Sequence, residues 1–550
     1  MQSLAALSLT VAVLASGAPA PALAQGGGLR PPPAPPGNPV TTEKAMLGKA
    51  LFWDEQLSST RTVSCGSCHA MPAGGSDSRS IIGDPRSTHP GADGIFGTGD
   101  DVTGSPGVIR SGADGHYIAD SNYSLRPQVT GRRGMPVINA AYAPALFWDG
   151  RADDQLIDPL TQQLVLQRMA ALEHQVLGPP LSDVEMAHEN RDWAQVAAQV
   201  AVSQPLVLTE NVPVALENWI AGRDYPALFQ DAFGDSAVTP TRIAMAIATY
   251  ERTLFSNQAP IDDFLNGNQN ALTAQEQRGF NLFNSPRLAC NTCHGGPVFT
   301  DNRFHYTGTR PQNEDLGFGA VTGNPANNGQ MKSPSLRNVE LRAPYFHHGG
   351  AGSLEAVVDF YNRGGDFNGP NKAPQIRPLN LNVGERADLL AFLRRPLTDP
   401  RVAAGSAPFD APTPFAQSSR RAQVYGAPTS GLLGNPVFVA EEPAMLGNPS
   451  MTIALDEGLP GARALLIVDQ VADVPGSIVR GAQCHVALTN AQMRMPRMLD
   501  ATGTASISIE VPANASLQGL TVYAQWFVED SGGPMGVAAT DARTITLFGD

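Results

Sequence analysis

The pattern of hydrophobic and polar positions predicts helices in the first three quarters of the chain. Leu354, Val357, Val358 and Tyr361 follow the i, i+3, i+4, i+7 spacing of a buried helix face, and Ser353 precedes them as a cap. The segment RADLLAFLRR, at 386–395, predicts another helix.

The pattern changes near the carboxyl end, where apolar and polar residues alternate between turn-forming clusters. This alternation is typical of a small β-sandwich. It occurs in the segments SMTIAL, ARALLIVD, ASISIEV and LTVYAQWFV.

Two helical phrases resemble each other and indicate an internal repeat. They are GKALF at 48–52 and GFNLF at 279–283, and each precedes a pair of cysteines. Thr273 and Glu276 form a capping box before the second phrase. Two related domains are therefore expected, at 41–260 and 261–402, followed by the β-sandwich domain at 431–550.

The segments outside these domains are predicted to be a leader and two linkers. Residues Met1 to Ala24 are uncharged, apolar and end in a small-x-small pattern, which predicts a signal peptide and export to the periplasm. A disordered Ala/Pro-rich tail is the alternative. Proline and glycine interrupt this stretch before it reaches the ~20 apolar residues of a membrane span, and no other transmembrane segment is predicted. Proline-rich stretches at 25–40 and 403–430 are expected to be linkers.

Composition and charge restrict the class of partner. Of 550 residues, 55 are glycine and 46 are proline, which indicates a globular protein rich in loops. The formal charge of -14 argues against a nucleic acid, which requires clustered basic residues, and favours a basic soluble protein.

The cysteines carry the strongest chemical signal. Four of the five form two C-x-x-C-H motifs, whereas Cys484 stands alone beside His485 and is predicted to be a buried core residue. In such a motif two thiols bond to the haem vinyl groups, and the adjacent imidazole binds the iron. A thioredoxin-like redox pair and a shared zinc site are the alternatives. The motif residues are Cys65, Cys68 and His69 in the first, and Cys290, Cys293 and His294 in the second.

Between about Thr42 and Pro396 the chain resembles the bacterial di-haem cytochrome c peroxidase and MauG family. The matching phrases are LGKALFWDEQLSS, GRRGMPVINAAYAPALFWDGRA, MKSPSLRNVELRAPYFHHGG and LEAVVDFYNRGGD. The resemblance implies a mainly α fold with two cytochrome c-like haem domains. It also implies that the N-terminal haem reacts with hydrogen peroxide while the C-terminal haem transfers electrons.

The resemblance assigns roles to particular residues. His69 and His294 would be the proximal ligands, and Trp148 in the FWDGR phrase would lie between the haems. Glu185 in GPPLSDVEM would lie over the peroxide-reactive haem as an acid/base group. Core packing for Trp148 and a surface helix for Glu185 are the alternatives.

Two further ligand sets follow from the resemblance. The sixth ligand of the second haem would be Tyr361, as in MauG-like proteins, and Met331 is the alternative. A calcium ion between the haems would use the carbonyls of Arg342 and Pro344, although Gly134 occupies the position of the family's asparagine ligand.

The function expected from the sequence is a peroxide-using oxidoreductase. Its electron donor or protein substrate would be soluble, such as a basic cytochrome c or a cupredoxin. Tyr361 favours MauG-like oxidation of a partner over peroxide detoxification. A non-enzymatic di-haem electron carrier and a di-haem oxygenase related to the rubber oxygenases are the alternatives.

Overall fold

A computed structural model describes residues 29–489 and 493–549. The predicted signal peptide, Met1–Ala24, lies outside the described residues. Within them, every helix is too short or too polar to cross a membrane.

The first part of the chain combines short helices with long loops. Helices make up 28 % of the structure, so the expectation of a mainly α chain is not confirmed. Long connections between the helices lower this fraction, in line with the glycine and proline content. The α-helices are Thr42–Trp53, Cys65–Cys68, Ala171–Val176, Trp193–Val202, Val214–Ile220, Tyr225–Phe233, Pro240–Glu251, Pro260–Leu265, Ala274–Phe283, Phe318–Thr322, Leu354–Arg363, Val383–Leu393 and Pro400–Ala404.

The two helical phrases occupy equivalent places in the structure. A Cβ on Gly48 would lie 1.9 Å from the Ala246 carbonyl oxygen, and one on Gly279 would lie 2.0 Å from that of Asp388. Each glycine therefore allows its helix to pack closely against a later helix, Pro240–Glu251 or Val383–Leu393 respectively. In both cases the chain then continues into a C-x-x-C-H motif.

Three large apolar cores follow one another along the chain. The first spans Leu47 to Leu254 and is completed by Val402 and Phe409, and the second spans Ala259 to Leu397. The third lies within the β-rich region. The domain boundaries at 260, 402 and 430 stay predictions.

The β-rich region contains two antiparallel sheets that enclose the third core. Each of the four alternating segments contains a strand. The five-stranded sheet has the order Met493–Met498, Arg463–Asp469, Thr521–Glu529, Val537–Thr546, Gln423–Tyr425, and the three-stranded sheet has the order Ala505–Ile509, Met451–Asp456, Val437–Val439. The remaining strands form two-stranded pairs: Thr88–His89 with Val102–Thr103, Leu156–Ile157 with Leu164–Leu166, Phe304–His305 with Met331–Lys332, and Ala472–Val479 with Ala482–Val486.

Cys484 belongs to the core of this region. Its side chain is buried, and its thiol donates to the Val486 carbonyl oxygen at 3.2 Å. Its neighbour His485 accepts a hydrogen bond from the Ala427 amide through Nε2. Both residues therefore have structural partners.

The β-rich region contacts the part of the chain that forms the first core through specific polar pairs. Asp456 accepts from the Ser124 hydroxyl at 2.6 Å and from the Leu125 amide at 3.1 Å. Glu442 is buried near Arg61 and accepts from the Thr452 amide at 3.1 Å. Burial raises the pKa of Glu442 to about 8.

We expect Glu442 to make the stability of the protein depend on pH. Because its folded pKa is raised, its contribution is fully present below its unfolded pKa and is lost as pH rises through about 8. Between pH 7 and 9 the loss should be about 1 kcal/mol. Thermal unfolding should show the Glu442→Gln variant gaining stability over the parent as pH rises. Glu441→Gln is the matched control, since Glu441 is more exposed and pairs with Arg421, and an equal gain in both variants would contradict the assignment.

Candidate haem sites

The first C-x-x-C-H motif faces a cavity of about 490 Å³, here called the first cavity. Its cysteines form the short helix Cys65–Cys68, and His69 follows at once. The His69 Nδ1 lies 3.2 Å from the Gly75 carbonyl oxygen. In the tautomer with a proton on Nδ1, this N–H donates a hydrogen bond to that carbonyl. This bond orients the imidazole and leaves Nε2 free to bind a metal.

The second motif repeats this arrangement at a cavity of about 210 Å³, the second cavity. Cys290, Cys293 and His294 line it, and the His294 Nδ1 lies 3.3 Å from the Phe299 carbonyl oxygen. Burial lowers the pKa of His294 to about 4, so the imidazole is neutral and able to bind a metal.

The donor sets of both cavities fit covalently held haems. Each cavity joins two free thiols with an imidazole whose second nitrogen is fixed by a carbonyl. A zinc site shared by the four cysteines does not fit, because the pairs line different cavities. In the described part, the side chains close enough to hold a metal ion are Cys293, Asp301 and His305, and of these Cys293 belongs to the second motif.

Glu185 lies in the wall of the first cavity together with His69. Its amide donates to the Ser182 hydroxyl at 3.3 Å, which fixes the backbone of the loop. Burial raises the pKa of the Glu185 carboxyl, and the positive charge of Arg151 partly opposes this shift. The structure thus places Glu185 in the cavity, and the alternative of a surface helix does not fit.

Trp148 lies in the walls of both cavities. Its indole N–H donates to the Arg133 carbonyl oxygen at 2.8 Å, and its own carbonyl accepts from the Lys332 amide at 2.8 Å. Its ring also meets the His347 ring edge-on, with centroids 6.1 Å apart. The tryptophan is therefore held rigidly between the two motifs.

Tyr361 and Met331 both line the second cavity with His294. Tyr361 lies on the helix Leu354–Arg363, which Ser353 caps by accepting the Ala356 amide. Burial raises the pKa of the Tyr361 hydroxyl. Since the structure brings both candidates to the cavity, Tyr361 as the ligand stays a prediction.

The predicted calcium position lies beside positive charge. A guanidinium N–H of Arg133 donates at 3.1 Å to the Ala343 carbonyl, which lies between those of Arg342 and Pro344 in the sequence. A Cβ on Gly134 would lie 3.2 Å from the Cys68 carbonyl oxygen, so a larger side chain there would be crowded. Calcium binding at Arg342 and Pro344 stays a prediction.

Sequence reasoning missed three buried charged residues in the cavity walls. Glu251 lines the first cavity, and its Oε2 has no hydrogen-bond partner among the described residues. Lys332 and Arg133 line both cavities, and the Lys332 ammonium donates to the Asn302 side chain at 3.0 Å. Burial lowers the pKa of Lys332 to about 8. Two of the three, Arg133 and Lys332, lie inside the quoted family phrases, but their neighbours in the sequence are mostly polar or glycine and give no local signal of burial.

Known proteins resemble this chain over its haem-binding part. A family model described as di-haem cytochrome c peroxidase matches residues 42–270. The methylamine utilization protein MauG of Methylorubrum extorquens is 31 % identical over 371 residues, which cover 67 % of this chain and 82 % of that protein. Cytochrome-c peroxidase IdrP1 of a Pseudomonas species is 30 % identical over 424 residues, covering 71 % of this chain and 90 % of that protein.

Among solved structures, a MauG-like protein associated with microbial copper homeostasis is similar at 25 % sequence identity. The match has a TM-score of 0.48 and covers 70 % of this chain and 96 % of that structure.

Proposed function

The chain belongs to the di-haem cytochrome c peroxidase and MauG family of oxidoreductases, and from this premise we propose that peroxide reacts at its first cavity. Membership implies two c-type haems. In the proposal, Cys65 and Cys68 hold the haem of the first cavity and Cys290 and Cys293 hold that of the second. His69 and His294 are the respective proximal ligands.

When bound, the haems would supply irons that give electrons to peroxide, whose reduction to two waters takes two electrons and two protons. The residues of the first cavity supply what this chemistry requires from the protein. Glu185 takes a proton from one peroxide oxygen and returns it to the other, which is general acid and base catalysis. Glu185 is half-buried in the cavity wall, where its carboxyl can reach a peroxide bound in the cavity.

The unequal distribution of carboxylates carries this proposal. Asp149, Glu185 and Glu251 line the first cavity, whereas no carboxylate of the described residues lines the second. A site that only stores or transfers electrons needs no acid/base group, but peroxide cleavage does. The asymmetry therefore favours reaction at the first cavity and electron transfer at the second.

Trp148 is the proposed route for electrons between the cavities, because it lies in the walls of both. Tyr361 is the proposed sixth ligand of the second haem. An oxygen ligand stabilises ferric iron relative to a thioether, which favours oxidation of a protein or organic partner. With a net charge of -14, a basic soluble donor or substrate in the periplasm is the proposed partner.

Peroxide added to the purified di-ferric protein tests the proposal. The spectrum of the first haem should change first, and that of the second should follow. In Trp148→Phe we expect the second change to be slowed about tenfold or more, equivalent to about 1.4 kcal/mol of barrier. Rapid-mixing absorption spectroscopy measures both steps.

Trp193→Phe is the matched control. Trp193 is also buried and donates to a backbone carbonyl, that of Leu177, but it lines neither cavity. A protein whose two irons are six-coordinate and unresponsive to peroxide would instead be an electron carrier. Oxygen consumption with a hydrocarbon substrate would indicate an oxygenase.

A further inference from the structure

Two arginines beside the second cavity are buried without an ion-pair partner among the described residues. Arg133 and Arg342 are each only 5 % exposed, and both line the second cavity. Neither has a carboxylate partner among the described residues. The negative charge of Asp77 acts on Arg133, but the Asp77 carboxylate forms its ion pair with Arg79 at 2.9 Å.

Their hydrogen bonds are also incomplete. Arg133 donates to the carbonyls of Asp77 and Ala343, and Arg342 donates to that of Ser335. The Nε of each guanidinium is buried and has no partner in the part of the chain that the structure describes. An unpaired buried donor on a charged group is strongly unfavourable, so a further acceptor is expected there.

Other buried arginines of the chain show that these two are unusual. Arg252 pairs with Glu173, and Arg337 pairs with Asp262 through two hydrogen bonds. Arg191 has no carboxylate partner either, but it donates to three carbonyls and to the Gln199 side chain, and it has no buried donor left without a partner. Arg133 and Arg342 therefore lack the anionic or acceptor partners that other buried arginines have. Because both line the second cavity, we expect an anion bound in that cavity to supply them.

We propose that Arg133 and Arg342 bind the propionate carboxylates of the haem in the second cavity. The inference rests on the proposed haem binding and adds an anion site to it. A guanidinium can form two parallel hydrogen bonds to a carboxylate, which would satisfy the unpaired Nε donors. Two like charges side by side would then be neutralised by the two carboxylates that each haem carries.

Hydrogen bonds connect the proposed anion site to Trp148, the tryptophan that lines both cavities. The Arg133 carbonyl accepts the Trp148 indole N–H, and the Arg133 amide donates to the His347 carbonyl oxygen at 2.8 Å. The backbone of Arg133 is thereby fixed next to Trp148 while its side chain reaches the second cavity. The propionates would therefore be held next to the proposed electron route.

Infrared difference spectroscopy of the holoprotein carrying ¹³C-labelled propionates tests the proposal. Difference spectra recorded across the reduction potential of each haem in turn separate the propionate bands of the second haem from those of the first. We expect the labelled carboxylate bands of the second haem to shift in Arg342→Gln and in Arg133→Gln. In the parent these propionates should stay ionised between about pH 5 and 9, because paired guanidinia lower the pKa of a carboxyl.

Arg191→Gln is the matched control, since it removes a buried arginine that lines neither cavity, and it should leave these bands in place. Arg342→Lys keeps the charge and should shift these bands less than Arg342→Gln does. The lysine variant replaces the glutamine variant in the test if the latter folds poorly.

Unshifted bands in both Arg133→Gln and Arg342→Gln, or parent propionates that titrate between about pH 5 and 9, would overturn the proposal. Haem content and peroxide response are measured on the same samples. A protein without haem would contradict the proposed function. A haem protein with unshifted propionate bands would contradict only the proposed anion site. If an inorganic anion binds the two arginines instead, the spectra should depend on chloride while the propionate bands stay unshifted in the variants. That outcome would also overturn the proposal.

Discussion

In the Glu185→Gln variant, we expect the first haem to react with peroxide roughly 10²- to 10⁴-fold more slowly than in the parent. Glutamine keeps the size of the side chain but cannot take up a proton. The resting spectra of both haems should be unchanged, because Glu185 lies in the cavity wall and not in the C-x-x-C-H motif. Rapid mixing with peroxide measures the rate.

The pH profile supplies a second readout of the same role. Burial raises the Glu185 pKa, and the proton acceptor is the ionised form. The rate in the parent should therefore fall on acidification from a higher pH than an ordinary glutamate would give. The variant should lack this fall.

Glu189→Gln is the matched control for Glu185→Gln. Glu189 follows four residues later, pairs with Arg110 at 2.6 Å and lines neither cavity. Its variant should react like the parent. If Glu185→Gln also reacts at the parental rate, the acid/base role is wrong for Glu185, and Glu251 becomes the carboxyl to test.

The sequence could predict those features that depend on local spacing. Adjacent residues in a C-x-x-C-H motif necessarily place thiols and imidazole together, so both cavities have the expected residues in their walls. The repeated phrases were also informative, since Gly48 and Gly279 each permit a close helix contact. The alternating segments near the carboxyl end likewise formed strands, because a period of two leaves one face for the core.

The remaining features depend on contacts distant in sequence. Glu251 and Arg133 enter the cavity walls through helix and loop packing, and neither has a neighbouring pattern that predicts burial. The expectation of a mainly α chain is not confirmed, because loops shaped by surrounding contacts carry no periodic signal in the sequence. The choice between Tyr361 and Met331 also could not be made, since both reach the second cavity from separate elements.

If Tyr361 is the sixth ligand, the Tyr361→Phe variant should change the reduction potential of the second haem by a large amount. Loss of an oxygen ligand that stabilises ferric iron should raise the reduction potential of the second haem, by on the order of hundreds of millivolts. Electron paramagnetic resonance should show a changed ligand set at that iron alone. Potentiometric titration followed by absorption spectroscopy measures the shift.

Met331→Leu is the decisive counterpart of Tyr361→Phe, because the two side chains line the same cavity and only one can be the sixth ligand. If Tyr361 binds the iron, the leucine variant should keep the parental potential and resonance spectrum. The opposite outcome, a large change in Met331→Leu and none in Tyr361→Phe, would assign the ligand to the thioether. A thioether raises the potential of a haem and makes the second site a better acceptor of electrons from a cytochrome. The protein would then be suited to removing peroxide at the expense of a soluble donor and not to oxidising a protein partner.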